Sequence, residues 1–302
     1  MRFSASRGLC EPGVEFRRMP LVFVPTPLGN LRDVTLRALD VLRDADVIVA
    51  EDTRVGRKLL AALGLPGRPI WSYREQNAAA ATAGILERAR SALVAVTSDA
   101  GMPGISDPGS ALVSAAREAG VEVEVLPGPS ASLGVALLSG FPLQRFAFEG
   151  FPPRTAGARR AALARALASG ATTIWYEAPT RIHDTLADLA AVAPAARVFL
   201  VREYTKLHEE RLTGTPSAVA EALSRPPRGE IAFAVAPLPV AAPPPDDAAL
   251  DAAIDDLLAS GCRVGEIARR LAERGAGDRR ALYARASARK SDAAKGRKPA
   301  HS

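Results

Sequence analysis

Four short loops gather carboxylates, glycines and small hydroxyl residues directly after apolar, strand-sized runs. Glu51-Asp52-Thr53-Arg54 follows Val47–Ala50. Two adjacent carboxylates and an arginine at a strand's carboxyl end suit either an N-cap cluster for the next helix or the polar edge of an active site. Asp52 or Thr53 would satisfy the capping role alone, which leaves the rest of the tetrad unexplained. The longest loop, Ser98-Asp99-Ala100-Gly101-Met102-Pro103-Gly104-Ile105-Ser106-Asp107-Pro108-Gly109, follows Leu93–Thr97. It is too rich in glycine and proline to fill a core. It would present backbone donors and acceptors around a concave site, with Asp99 placed to meet a hydroxyl or an ammonium group. Pro25-Thr26-Pro27-Leu28-Gly29-Asn30-Leu31 follows Leu21–Val24; its prolines fix φ, and Gly29 admits close approach of a ligand or simply turns the chain. Pro127-Gly128-Pro129-Ser130-Ala131-Ser132 follows Val121–Leu126 and opens a helix, where small residues cap it or admit an adenosine-sized ligand. No Gly-Lys-Ser/Thr and no G-x-G-x-x-G pattern occurs in the long loop, so it is neither a P-loop nor a dinucleotide fingerprint.

The elements that must carry these loops alternate in type. Val22–Val24, Val47–Ala50, Leu93–Thr97 and Val121–Leu126 read as strands, with helices over 35–44, 54–63, 77–91 and 110–119. This predicts an α/β layered domain with a largely parallel sheet, whose ligands sit beyond the carboxyl ends of the strands. A second unit follows Gly150–Pro153. Helices over 156–169, 180–192 and 216–224 are interleaved with strands Thr172–Tyr176, Arg197–Val201, 207–213 and Glu230–Ala236, and the helix over 132–139 precedes that unit. The expected organisation is therefore an extension over 1–18, α/β domains over 19–131 and 132–236, a Pro-rich linker over 237–246, a small domain of three helices over 247–288 and a basic tail over 289–302. Met19 is a second plausible start of translation, and residues 1–18 and the tail lack periodic apolar patterning.

Composition bounds the reading. The 302 residues are 48% hydrophobic and 24% charged, ordinary for a soluble globular enzyme. The longest apolar runs are strand-sized and too short to span a bilayer, and no apolar core follows the first arginines as a secretory signal requires. Cys10 and Cys262 lie far apart and read as reduced thiols of a cytosolic protein. His183, His208 and His301 are scattered, which gives a zinc site no support. A net charge of +6 favours an anionic partner, nucleic acid first.

Together, in this order and spacing, the loops resemble the tetrapyrrole-methylase-like superfamily of S-adenosylmethionine-dependent methyltransferases. Within it, the match is to the ribosomal RNA small subunit methyltransferase I family. The resemblance rests on Pro25–Thr35, Glu51–Arg54, Ser98–Gly109 and Pro127–Ala131. It continues through Phe148–Phe151, Tyr176-Glu177, Arg202-Glu203, Thr205-Lys206 and Gly229-Glu230-Ile231, so it covers about residues 20–236. Three positions depart from the family's common residues: Thr180 for a usual histidine, Thr155 for a lysine and Tyr204 for a leucine. They fall in substrate-facing segments and leave the cofactor loops intact.

The resemblance implies a fold of two α/β domains with the cofactor in the cleft between them, and a homodimer. It implies S-adenosylmethionine as cofactor, no metal, and 2'-O-methylation of a cytidine of 16S ribosomal RNA in the small subunit. Carried over by position, Pro27, Leu28, Gly29, Asp99, Gly101, Ile105, Ser130 and Ala131 would touch the cofactor, with Tyr176 and Ala234 contributed by the second domain. Glu51, Asp52, Glu177 and Glu203 are the carboxylates that could accept the 2'-hydroxyl proton, each with ion pairing to a nearby arginine as its other reading. Arg54, Arg154, Arg159, Arg160, Arg181 and Lys206 are candidates to hold RNA phosphates. The rivals are a methyltransferase of the same fold with a tetrapyrrole or protein acceptor, and a non-catalytic RNA-binding protein. The Glu-Asp-Thr-Arg and Ser-Asp-Ala-Gly loops argue against the first, and the retained glycines and Asp99 against the second.

Overall fold

The computed structural model describes residues 20–107, 109–223, 226–238, 246–273 and 275–295. The expected extension over 1–18, residues 239–245 of the linker and the end of the tail lie outside the described residues. Contacts separate the chain into two units, one ending at Ala236 and one beginning at Pro237.

The first unit holds two five-stranded sheets. One is built from β1 (Leu21–Phe23), β2 (Val47–Ala50), β3 (Ile70–Ser72), β4 (Val94–Thr97) and β5 (Val123–Val125), in the order β3-β2-β4-β1-β5 and parallel throughout. Its central strands are nearly all apolar because helices cover both faces. Side chains alternate across the sheet. Leu21, Phe23, Val49, Val94 and Val96 face α3 (Ala78–Ala89) and α4 (Gly109–Glu118). Val22, Val24, Ile48 and Ala95 face α1 (Leu36–Asp44) and α2 (Thr53–Ala62).

The second sheet takes β6 (Phe146–Gly150), β7 (Thr172–Glu177), β8 (Val198–Arg202), β9 (Glu210–Gly214) and β10 (Ile231–Val235), in the order β6-β7-β10-β8-β9. Only β6 and β7 are parallel; β10 runs antiparallel to both its neighbours, as β9 does to β8. The expectation of a largely parallel sheet therefore holds for the first sheet and not for this one. Alternation of helix and strand does not fix direction when a strand is inserted between two earlier ones, as β10 is. One face packs on α6 (Ala156–Ala168), α7 (Ile182–Val192) and α8 (Pro216–Ala222), with Trp175 and Phe233 stacked at 6.3 Å. The other face carries α5 (Ala131–Leu138), whose Val135 and Ala136 are buried with Ile174, Phe199 and Ala234. Strands β3 and β6, both at sheet edges and partly exposed, are not among the strands expected from the sequence.

The second unit consists of α9 (Asp247–Ala259), α10 (Val264–Glu273) and α11 (Arg279–Lys295), packed through Leu250, Ile254, Ile267, Leu271 and Leu282. Arg285 pairs with Asp247 and Asp251, and Arg289 with Asp251 and Asp255, so α9 and α11 are laced by one ladder of charges. Helix α11 runs on to Lys295, past residue 289 where the sequence suggested that the tail begins. Among the described residues no helix is long and apolar enough to cross a membrane.

Candidate active site

The loops after β1 and β4 are joined first by backbone. Thr26 and Gly101 exchange two hydrogen bonds, of 2.9 and 3.0 Å, in an isolated antiparallel bridge. Gly101 has φ +82°, a conformation that favours glycine, and a Cβ there would stand 2.9 Å from Leu28 Cδ2, so glycine suits the junction of the two loops. Asp107 holds the far end of the long loop. Its carboxylate accepts from the amides of Gly104 and Gly109, both at 2.8 Å. Asp107→Ala would release both amides, and a loss of about 1–3 kcal/mol in chemical denaturation is expected from unsatisfied buried donors; unchanged stability would show that the loop does not depend on this clamp.

These loops form one wall of a cleft of about 290 Å³, through Leu28, Gly101, Met102 and Ile105. The second sheet forms the other wall. Tyr176 stands at the cleft with Phe148 and Phe151 edge-on to its ring at 4.8 and 5.8 Å. The Tyr176 hydroxyl accepts from the amide of Ser132 at 3.1 Å, at the start of α5. Burial pushes the Tyr176 phenol up, against the opposing pull of that hydrogen bond. Small residues, Ala131, Ala178 and Ala232, leave room between aromatic walls, while Glu230 adds a polar rim. An apolar slot with a few polar groups at its edge fits an adenosine-bearing cofactor.

Beside the cleft lies an open polar basin of about 620 Å³, lined by Glu51, Asp52, Arg54, Arg74, Asp99 and Asp107 among others. Asp52 is the N-cap of α2: its carboxylate accepts from the Arg54 amide at 2.8 Å and from the Arg54 guanidinium at 2.6 Å, which hold it well below the usual range. Asp99 accepts from the Asp52 amide at 3.0 Å, yet burial and the Asp52 charge push it up. Arg74 donates to the Glu51 carbonyl at 2.7 Å. The Glu51 carboxylate itself has no hydrogen-bond partner among the described residues. Burial, then the charges of Asp99 and Asp107, push it up despite Arg74.

The other two candidate carboxylates are engaged. Glu177 is buried; its Oε1 accepts from the Ala178 amide at 2.9 Å and its Oε2 from the Thr185 hydroxyl at 2.6 Å, with Arg181 at 3.3 Å. Glu203 accepts from Lys206 Nζ at 2.9 Å and from the Glu230 amide at 3.0 Å. Burial works to raise Glu203, but these partners prevail and hold it low.

Of the residues expected to touch a cofactor, Leu28, Gly101, Ile105, Ser130, Ala131 and Tyr176 line the cleft. Pro27 and Gly29 flank Leu28 without lining it, and Asp99 lies in the polar basin instead. Ala234 is wholly buried: it pairs with Ile174 and Phe199 deep in the sheet, whereas Ala232, two residues earlier on the same face and opposite Tyr176 and Val201, lines the cleft. Among the basic candidates, Arg54, Arg154 and Arg160 are exposed. Arg159 is only 5% exposed and pairs with Asp188 at 2.6 Å, so it does not face a ligand. Arg181 donates to the carbonyls of Pro152 and Pro153 at 2.6 and 3.1 Å, which pins the loop that carries Phe151. Lys206 gives its amine to Glu203 and Glu230. Sequence reasoning missed Met102, Tyr204 and Ala232 at the cleft and Arg74 in the basin. Arg74 stands in no motif, and only the fold brings it to Glu51. Among the described residues no group of three or more His, Cys, Asp or Glu side chains could hold a metal ion.

The family described as Tetrapyrrole (Corrin/Porphyrin) Methylases matches residues 20–220. Ribosomal RNA small subunit methyltransferase I of Thermotoga maritima is 42% identical, over 70% of this chain and 95% of the relative. The protein of the same name from Mesorhizobium japonicum is 39% identical, over 88% of this chain and 90% of the relative. Among solved structures, diphthine synthase superposes with a TM-score of 0.58 at 18% identity, covering 72% of this chain and 89% of that one. Uroporphyrin-III C-methyl transferase from Thermus thermophilus, complexed with S-adenyl homocysteine, superposes with a TM-score of 0.50 at 22% identity, covering 71% and 96%. At that identity these two likenesses describe the fold.

Proposed function

Because the chain belongs to the tetrapyrrole methylase family, and within it to the ribosomal RNA small subunit methyltransferase I group, we propose that it methylates the 2'-oxygen of a cytidine ribose in 16S ribosomal RNA of the small subunit. The observation that carries this reading is the pairing of an apolar cleft with a polar basin that holds an unpartnered carboxylate, Glu51. S-adenosylmethionine, when bound in the cleft, supplies a methyl group already activated by its sulfonium. Leu28, Gly101, Ile105, Ser130, Ala131, Tyr176 and Ala232 are the residues that would hold it.

The basin receives the ribose, and Glu51 accepts the proton of the 2'-hydroxyl as the oxygen attacks. A carboxylate pushed upward is a stronger base while it remains ionised, which suits this work. Asp52, Glu177 and Glu203 are committed to Arg54, to Thr185 and Arg181, and to Lys206, so they serve as anchors. Holding the attacking oxygen in place supplies much of the remaining acceleration. The division of the α/β unit near residue 131 belongs to the same reading: α5 starts there and packs on the second sheet, so Ser130 and Ala131 sit at the junction of the two lobes.

Of the basic candidates, the exposed Arg54, Arg154 and Arg160 meet the RNA phosphates, Arg54 while pairing with Asp52 and Arg160 with Asp188 on the protein side. Arg54 opens on the basin, and Arg154 lines a groove beside Phe151. Binding of small-subunit RNA should weaken steeply with salt, and replacing the three arginines by alanine should flatten the plot of log affinity against log salt by roughly 0.7 per cation removed. An unaltered slope would contradict their contact with the backbone. A homodimer is also part of the proposal: Leu133 and Leu137, one turn apart on α5, are 57% and 74% exposed, an apolar stripe suited to a second copy.

A further inference from the structure

We propose that the segment Glu203–Lys206 is a clasp between the two sheets, and that Thr205 and Lys206 are positioning residues that set the width of the cofactor cleft. The proposal rests on the reading of the cleft as the S-adenosylmethionine site.

The segment leaves the end of β8 in a conformation that its residue types disfavour. Glu203 has φ +53° and Thr205 φ +64°, and a β-branched residue in the left-handed region is an outlier. Such backbone persists only where its surroundings over-determine it, and here they do. Glu203 exchanges backbone hydrogen bonds with its neighbours: its amide donates to the Glu230 carbonyl at 2.9 Å, and its carbonyl accepts from the Lys206 amide at 2.9 Å. The Thr205 amide donates to Glu209 at 2.7 Å. Lys206 Nζ donates to Glu203 at 2.9 Å and to Glu230 at 3.1 Å. Gly229, at φ +85°, has no room for a Cβ, which would stand 2.1 Å from Glu203 Oε1.

The outer side of this knot grips the first sheet's loop. Thr205 Oγ1 accepts from the Asn30 amide at 3.2 Å. The Lys206 stem lies so close over Gly29 that a Cβ there would stand 2.2 Å from Lys206 Cγ. Leu28, next to that grip, lines one wall of the cleft; Tyr204 and Glu230, within the knot, line the other. Moving the clasp therefore moves both walls relative to each other. It also accounts for Lys206, whose two hydrogen bonds leave it poorly placed to hold an RNA phosphate.

The test is calorimetric titration of the full-length protein with S-adenosylmethionine, with kinetics alongside. Lys206→Met keeps the stem and removes the amine. It should weaken donor binding about tenfold, the worth of one charge-assisted hydrogen bond, and raise KM for the donor more than it lowers kcat. Lys206→Arg should restore part of the affinity. Gly29→Ala should also weaken donor binding. In a Lys206→Ala background, where Cγ is gone, adding Gly29→Ala should cost little more, because the two sites are coupled. Wild-type binding with unaltered affinity in both single variants would overturn the clasp, as would a Lys206→Met protein that loses only RNA binding. A wild-type protein that binds no S-adenosylmethionine would instead overturn the reading on which the clasp rests.

Discussion

Glu51→Gln is expected to slow methyl transfer by about 10²–10⁴-fold while leaving S-adenosylmethionine binding intact. The substitution keeps the size and polarity of the side chain and removes its ability to take a proton. Glu51 lines the basin and not the cleft, so donor affinity has no reason to change. The pH profile gives a second reading of the same residue. Burial and the charges of Asp99 and Asp107 hold the Glu51 carboxyl above its ordinary value of 4.5. The base must be ionised to work, so log kcat should fall as pH drops through that raised value, and the Gln variant should lack this limb.

Stability should move the other way. A carboxyl raised in the folded state binds its proton more tightly there than in the unfolded chain. Stability is therefore lost as pH rises from the ordinary value through the raised one. Glu51→Gln removes that penalty and should leave the protein somewhat more stable at neutral pH, the pattern expected when a functional group is kept in a costly place. A variant that keeps wild-type turnover, or that loses activity only through unfolding, would remove Glu51 from the chemistry.

The second large effect is expected on folding. Glu177→Ala should cost about 3 kcal/mol in urea denaturation, the lower end of what breaking a buried charge pair costs. Glu177 lies 2% exposed, and its removal strands the Thr185 hydroxyl and the Ala178 amide and takes the carboxylate from Arg181. Arg181 is the group that holds Pro152 and Pro153, so the loop bearing Phe151 should loosen as well. Glu177→Gln keeps hydrogen-bonding capacity and should cost less. If Glu177→Gln instead abolished turnover at full stability, the proton acceptor would be Glu177 and the assignment to Glu51 would fail.

These two carboxylates mark the limit of what the chain discloses before it folds. Both stand at the carboxyl end of a strand and both have an arginine within four residues, Arg54 and Arg181. In the structure Arg54 takes Asp52 and leaves Glu51 without a partner, whereas Arg181 turns back onto Glu177. Neighbours in sequence cannot reveal that choice, because Thr185, Arg74 and Asp99 come to these side chains by packing. The cofactor loops were legible for the opposite reason. Glycine and proline at a strand's end act locally, and Gly101 does what its type suggests, bringing Leu28 and the long loop together. Ala234 and Ala232 show the same boundary at finer scale: both point to one face of β10, and only the depth of the sheet places Ala232 at the cleft and Ala234 in the core. Arg159 read as a basic surface residue because its partner, Asp188, lies 29 residues away on α7. The central strands β1, β2 and β4 were visible as apolar runs buried on both faces. The edge strands β3 and β6 bury too little to leave such a mark, and the insertion of β10 between β7 and β8 leaves no local trace at all.

One measurement tests the central claim most directly: transfer of labelled methyl from S-adenosylmethionine to small ribosomal subunits that lack the modification, followed by digestion of the RNA to nucleosides. The expected result is label in 2'-O-methylcytidine at a single position, lost in Glu51→Gln and retained in a variant of an exposed residue far from the site, such as Arg90→Ala. Label in a base or in ribosomal protein, or none in RNA while the protein binds its donor, would contradict the account and point to a different acceptor on the same fold.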